Sequence, residues 1–453
     1  MRSASTLELV DIQGAVLKQP PPRGCGGGPQ PYAGRYVVLR IDDAAQGRAL
    51  LQRLLPYVAS AADWWTPTEQ AVISVALSFQ GLRALGLPQA SLDSFPPWFQ
   101  QGMAARAEGI GDIGESSPAN WEKPFGTSEV HVALVLVGRD AAALQSALTN
   151  AGAVLQQLPG IAVVHQTDIA PLPTGRTHLG YQDGIGQPLI EGSGEPPHPG
   201  QGPVIAAGEL VLGYPDQLGQ VRPMPQPDTL GRNGTYVAVR KLHERVAIFR
   251  RFLRSNADSP AAEELLAAKL VGRWRSGAPL MLCPTQDDPA LGADPERNND
   301  FRYHDDDPRG LRCPLGAHIR RANPRDGLTG QLADVNIHRI VRRGGSYGPM
   351  LPEGVLEDDG QDRGIVFLGM GTGLAEQYEF IKSQWLNDGN FVGLGTEKDA
   401  IVGANDGTGT FTVPQRPIRR RLQDVPRLVI VRGGEYCFMP SLSALRWMAA
   451  LDA

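Results

Sequence analysis

Two hydrophobic periods alternate along this 453-residue chain, one of about two residues and one of about 3.6. Arg35 to Ile41 is β-branched and apolar and predicts a strand. Residues 44–58 carry Leu50, Leu51, Leu54 and Leu55 at helical spacing and end near a proline. Ala71 to Leu77 predicts a second strand, followed by a short helix through Leu85 that Gly86 ends. The cycle then repeats. Val130 to Val137 predicts a strand, Ala141 to Leu158 an amphipathic helix, and Ile161 to Gln166 another strand. Two successive β-α-β units of this kind pack their helices on one face of an antiparallel sheet.

The same rhythm returns after residue 230. Thr235 to Arg240 predicts a strand, and His243 to Arg254 and Pro260 to Val271 predict helices. Ile365 to Leu368 predicts a strand leading into a helix from Leu374, in which Leu374, Tyr378, Ile381 and Trp385 share one face. Leu428 to Val431 predicts a strand and Leu442 to Leu451 a final helix. The expected fold class is α+β, with two ferredoxin-like halves, residues 1–225 and 226–453. The stretches between these elements are rich in Pro and Gly. Residues 19–34 predict an irregular loop, residues 88–124 a surface excursion rich in Trp and Pro, and residues 168–230 a long connector. Long connectors inside a compact chain are uncommon and often functional. A further loop-rich insertion spans 283–361, and no short-period repeat is visible.

A hydrophobic content of 42% supports a substantial core. Lys plus Arg (43) against Asp plus Glu (48) gives a formal charge of −5, which points to no nucleic-acid or anionic-membrane partner. No window reaches the length of a membrane span, and the first residues lack the apolar run of a signal peptide. Cys25, Cys283, Cys313 and Cys437 are far apart and form no Cys-x-x-Cys pair, which argues against a zinc site and a disulfide framework. These features give the expectation of a reduced, cytoplasmic protein.

Candidate chemistry concentrates in Arg312 to Asp326, where His318 follows Gly316 and Ala317 and precedes Arg320, Arg321 and Arg325. Imidazole ligates iron well, guanidinium pairs with carboxylates, and small residues let a flat group approach the backbone. A lone histidine is more often structural, and clustered arginines are more often a solvated face. Upstream, Gly180-Tyr181-Gln182-Asp183-Gly184 places a carboxylate between glycines, either a plain turn or a proton-transfer group presented into a pocket. Downstream, His338 to Arg343 reads as the end of a strand breaking at Gly344-Gly345. Arg339 and Arg343 share one parity, and Arg342 points the other way with Ile340. Phe301 to Pro308 holds His304 and three consecutive acids, a run better read as a solvated loop than as a metal site. Gly344-Gly345-Ser346-Tyr347-Gly348 has the letters of a nucleophile elbow, but Pro349 and Pro352 follow where a helix is required, so a Gly-rich turn is expected. Gly369 to Gly373 lacks the lysine of a phosphate loop.

Taken together, the chain resembles the dye-decolorizing peroxidase family of haem enzymes. The resemblance rests on Asp11 to Gly14, Gly180 to Gly184, Cys313 to Arg325, Arg342 to Gly344, Gln377 to Ile381 and Val431 to Pro440, in that order. The long loops and unmarked start resemble the larger intracellular bacterial subgroup. The resemblance implies a dimeric α+β barrel binding haem b, with His318 as proximal iron ligand and Asp183 and Arg342 on the distal face. It implies Phe367 in the haem pocket, Arg320 or Arg325 against a propionate, and Asp399 as acceptor of a hydrogen bond from His318, with Asp388 as the alternative. The implied substrates are hydrogen peroxide and small aromatic reductants, dyes or phenols, for a monomer or homo-oligomer. A haem carrier with little turnover is the alternative function, although binding alone requires neither Asp183 nor Arg342. Bulky dyes cannot reach a buried haem, so electrons would leave through surface aromatics, with Tyr347 and Trp385 as candidates; Trp385 reads equally well as the core face of its helix. A carboxylate catalyst also predicts dye oxidation that peaks below neutral pH.

Overall fold

The computed structural model describes residues 6–18, 32–63, 71–330 and 334–451. Most of the predicted loop at 19–34 lies outside them. Eight strands form one sheet: β1 Ala33–Ile41, β2 Ala71–Ser78, β3 Val132–Gly138, β4 Ile161–Ile169, β5 Thr235–Glu244, β6 Val341–Tyr347, β7 Gly364–Gly371 and β8 Val429–Met439. Their order is β4-β1-β3-β2-β8-β5-β7-β6, antiparallel throughout. The second four therefore repeat the order of the first four, the 4-1-3-2 order of a ferredoxin-like unit. The two units are not separate sheets. Cys437 and Phe438 of β8 pair with Ser78 and Leu77 of β2. At the far edges, the Ala170 amide donates to the Ser346 carbonyl at 3.0 Å, so β4 and β6 meet at one corner and curl the sheet toward a barrel.

Alternation along the strands explains why both faces are apolar. Leu134 and Leu136 of β3 and Tyr236 and Ala238 of β5 join the core under the helices. Ala133, Val237 and Val239 join a second core on the inner face. The helices α1 (Ala44–Leu54) and α2 (Ala141–Gln156) cover the first unit, and α3 (Val246–Ser255) and α4 (Pro260–Val271) belong to the second. Asp43, Asp140 and Ser259 cap three of these helices by accepting from the amide three residues on.

The N-terminal segment acts as a strap. Gln13 is buried, donates to the carbonyls of Val75 and Pro440 at 2.8 Å each, and accepts from the Val75 amide. It thereby fastens β2 to the end of β8.

Several expectations change. Residues 88–124 are no surface excursion: Phe95, Trp98, Phe99, Met103 and Trp121 are buried in the main core. The prolines start short helices, such as Pro97–Gln101, whose aromatics pack inward. β5 runs on to Glu244, because its pairing with β7 and β8 continues to that end, so α3 begins at Val246 rather than His243. β6 passes straight through Gly344-Gly345 and is no turn. A Cβ on Gly344 would lie 2.3 Å from the Val366 carbonyl, so the glycine permits close strand approach instead of breaking the strand. The helix after β7 is built of π-helical turns, Ala375–Glu379 and Ile381–Leu386, with the four predicted apolar residues all buried. A hairpin pairing Gly409–Val413 with Arg420–Val425 had no counterpart in the sequence reading.

Candidate active site

A cavity of about 460 Å³ opens beside β5, β6 and β7 and is lined by His318, Asp183, Arg342, Arg325, Phe367 and Trp385 among others. Its size lies in the range of pockets that take large organic ligands. His318 begins the five-residue helix α5 (His318–Ala322). Its Nδ1 lies 3.0 Å from Oδ2 of Asp399, which is fully buried. The other Asp399 oxygen accepts from the amides of Ile401 at 2.9 Å and Val402 at 2.7 Å. Burial alone would raise this carboxyl, but the charge and hydrogen bond of His318, with those amides, hold it below the usual carboxylate range. The tight turn behind it needs Gly403, where a Cβ would lie 2.3 Å from the Asp399 carbonyl. With Nδ1 engaged by a carboxylate, the ring carries its proton there and leaves Nε2 as a lone-pair donor.

Asp388, the alternative, uses its carboxylate on the Asn390 amide of its own turn. Its backbone carbonyl accepts instead from Arg321 at 2.6 Å. Arg321, fully buried, also donates to the carbonyls of Trp385 and Glu397 and so clamps the loop that delivers Asp399. Gly316 and Ala317 do not open the cavity. A Cβ on Gly316 would approach Phe411, and Ala317 sits in a separate apolar cluster.

Asp183 is exposed and its Oδ1 accepts from the Gly184 amide at 2.6 Å. Gly180 and Gly184 adopt φ of 93° and 79°, the left-handed region that explains glycine at both positions. Gln187 pins this loop to β6, donating to the Arg342 carbonyl at 2.7 Å and accepting from its amide at 3.0 Å. The Arg342 guanidinium donates to the Ile185 carbonyl at 2.8 Å. Ile340 and Arg342 both line the cavity. Arg343 follows on the opposite face of the strand and donates to the Ala15 carbonyl, and both of those residues also line the cavity.

The electrostatics are lopsided. Arg273, Arg325, Arg339 and Arg342 all line the cavity, and among the described residues none forms an ion pair with a carboxylate. Burial, then neighbouring Arg325 and Arg342, push Arg339 down to about 9. Burial with nearby Arg325 does the same to Arg273, also to about 9. Four clustered cations, Arg273 buried and the other three half-buried, without a carboxylate partner are costly, and a guest bearing two carboxylates would relieve that cost. A flat dianionic ligand with a metal centre fits this donor set: one lone-pair imidazole, an apolar wall including Phe367, and guanidinium groups at the rim.

Not every expected residue faces the cavity. Arg320 is absent from its lining. It pairs with buried Asp307 at 3.2 Å, donates to the Cys313 carbonyl and covers the Tyr303 ring. Asp307 is thus a structural anchor rather than part of a solvated acidic run, while His304 and Asp305 are exposed. Among the described residues no His/Cys/Asp/Glu cluster could hold a metal ion. Tyr347 and Trp385, expected as surface aromatics, are 5% and 4% exposed. The clamps Arg321 and Gln187 went unnoticed in the sequence, because their partners lie 64 to 155 residues away.

Comparison with known proteins places this geometry. Residues 30–169 match the family model described as the DyP dimeric alpha+beta barrel domain. A dye-decolorizing peroxidase of Mycetinis scorodonius is 30% identical over 474 residues, covering 98% of this chain and 88% of the relative. One from Exidia glandulosa is 32% identical, covering 98% and 87%. A solved dye-decolorizing peroxidase in complex with 2,6-dimethoxyphenol superposes with a TM-score of 0.84 at 30% identity, covering 98% of this chain and all of that one. These named relatives are fungal and add nothing for the bacterial subgroup.

Proposed function

The chain belongs to the dye-decolorizing peroxidase family, and from that premise we propose how its own residues carry out the reaction. It is a peroxidase that reduces hydrogen peroxide while oxidising phenols and dyes. Membership of the family brings a haem cofactor. We assign it as haem b, which His318 would hold through Nε2, with Phe367 supplying part of the apolar wall and Arg325 and Arg339 the guanidinium groups that would pair with its carboxylates. When bound, haem supplies the iron centre at which peroxide is cleaved and through which two electrons are delivered singly.

The protein does the rest. Asp183 accepts the proton from the peroxide oxygen that stays and returns it to the oxygen that leaves as water. Arg342 stabilises the negative charge that grows as the O–O bond breaks, and its bond to the Ile185 carbonyl keeps it beside the Asp183 loop. Asp399 keeps the His318 proton on Nδ1 and makes Nε2 more electron-donating. The observation that carries this reading is the meeting of His318–Asp399 and Asp183–Arg342 in one cavity rimmed by arginines without counter-charge.

The test is an absorption spectrum of the haem-loaded protein before and after one equivalent of peroxide. A Soret band that shifts with peroxide in wild type, is lost in His318→Ala, and stops responding in Asp183→Asn is expected. A Soret band unchanged in His318→Ala removes the assignment of the ligand. A band indifferent to peroxide in wild type leaves a haem carrier. The compartment is proposed to be cytoplasmic, a reading supported by the free thiols of Cys283, Cys313 and Cys437, and fractionation of the native host tests it. No helix of the described residues is long and apolar enough to cross a membrane. The active unit is read as a monomer or homo-oligomer, to be decided by light scattering.

A further inference from the structure

Glu244, the last residue of β5, lines the same cavity as Asp183 yet is only 6% exposed. Its backbone is fully used: the amide donates to the Arg363 carbonyl at 2.9 Å, and the residue pairs with Val429 of β8. Its side chain is not. Oε2 is buried and has no hydrogen-bond partner among the described residues. The carboxyl accepts from the His178 amide, and no cation pairs with it. The connector contributes Asp183, a like charge, and His178, whose Nε2 engages the Tyr347 carbonyl and whose Nδ1 is also without a partner. β6 contributes the Tyr347 hydroxyl, bonded to Asp362. At the start of β7, the Arg363 guanidinium is turned away to Asp359 and the Pro349 carbonyl. Burial, followed by the charge of Asp183, pushes Glu244 up to about 8. A buried carboxyl with an unused oxygen and no cation is a carboxylic acid at neutral pH.

We propose that Glu244 is the proton store of Asp183: a neutral carboxyl on the cavity wall that re-supplies Asp183 between the two electron-transfer steps. The proposal rests on the peroxidase reading above and deepens it. The stoichiometry requires such a supply. One peroxide and two phenols give two waters and two phenoxyl radicals. Moving the peroxide's own proton from one oxygen to the other makes the first water, with no net proton taken up. The second oxygen then needs two electrons and two protons, and each phenol releases one of each outside the cavity. Glu244 gives a proton through cavity water to Asp183, Asp183 passes it to the oxygen, and Glu244 is refilled from solvent before the second electron arrives. Glu244 acts through Asp183 and is a positioning residue in that sense.

The test is an infrared pH titration of the haem-loaded protein without peroxide, taken as wild type minus Glu244→Gln. A protonated-carboxyl band that titrates with a midpoint near 8 is expected. In an Asp183→Asn background the midpoint must fall, because the like charge is gone. Absence of the band, or a midpoint indifferent to Asp183→Asn, overturns the proposal. In turnover, Glu244→Gln keeps the shape but cannot give a proton, so kcat falls by about tenfold or more. KM for peroxide holds, and Glu244→Asp recovers part of the rate. Loss of KM and kcat together without recovery by aspartate indicates a structural role and also overturns it. The Asp183→Asn titration reads Glu244 itself, so the test survives if Glu244→Gln fails to fold. Because the titration uses no peroxide, its failure is separate from a failure of the peroxidase reading, which shows as a wild-type spectrum indifferent to peroxide.

Discussion

Replacing Asp399 by asparagine exchanges one oxygen for an amino group and removes one charge. Oδ1 is held by two backbone amides at 2.9 and 2.7 Å, so the asparagine oxygen keeps that place. The new NH₂ then faces Nδ1 of His318 from the position where Oδ2 now sits at 3.0 Å. Two donors cannot share that bond. Either the hydrogen bond is lost, or the ring turns to the other tautomer and places its proton on Nε2, where it blocks the nitrogen that ligates iron. A hydrogen bond to a charged acceptor is worth about 1.5–3 kcal/mol. Outer partners of metal ligands typically contribute a factor of about 10–100 in affinity, or about 1.4–2.7 kcal/mol. The two estimates agree. Titration of the apoprotein with haem, followed at the Soret band, is therefore expected to give a dissociation constant about 10- to 100-fold weaker for Asp399→Asn. Asp388→Asn is the control, since among the described residues the Asp388 carboxylate hydrogen-bonds the Asn390 amide and not His318, and its affinity is expected to match wild type. An Asp399→Asn protein that binds haem within about twofold of wild type refutes the argument that this carboxylate sets the tautomer.

Other expectations separate binding from stability. Arg320→Ala leaves Asp307 as a buried unpaired charge, so chemical denaturation should show a loss of about 3–5 kcal/mol, with haem affinity of the folded protein unchanged. Arg325→Met removes a cavity cation and should lower haem affinity instead, as read by the same Soret titration. The two buried carboxyls tilt stability in opposite directions with pH. Asp399 sits below its unfolded value, so its contribution is present above that value and lost as pH falls, and the Asp399→Asn apoprotein should show a flatter acid limb in urea unfolding. Glu244 is raised from 4.5 to about 8, so the stability it confers is complete below 4.5 and lost as pH rises through about 8. Glu244→Gln should remove the slope this carboxyl gives between about pH 4.5 and 8, at most about 1.4 kcal/mol per pH unit.

Strand runs such as Val130 to Val137 were legible because both faces of the sheet are covered, which makes the run continuously apolar. The doubled β-α-β rhythm carried the fold for the same reason. What stayed hidden depends on contacts between distant residues. Arg320 and Arg325 look alike in sequence, five residues apart, yet one anchors Asp307 and the other reaches the cavity. Gly344-Gly345 reads as a turn until the neighbouring Val366 carbonyl is seen to require the missing side chain. The aromatics of residues 88–124 look like a loop because short proline-led helices have too few turns to show a period. Glu244 ends a strand and carries no motif, so only its unused oxygen and its neighbour reveal it.

The strap and the seam between β2 and β8 bear on when the protein becomes able to react. Asp183 is made early in the chain, His318 late, and Asp399 later still, while Gln13 waits for Pro440 before both its donor hydrogens are used. A growing or partly folded chain therefore carries no complete peroxide site, even if haem is at hand. The closure that finishes the barrel, Gln13 reaching Pro440, thus uses a residue made only after every residue of the site.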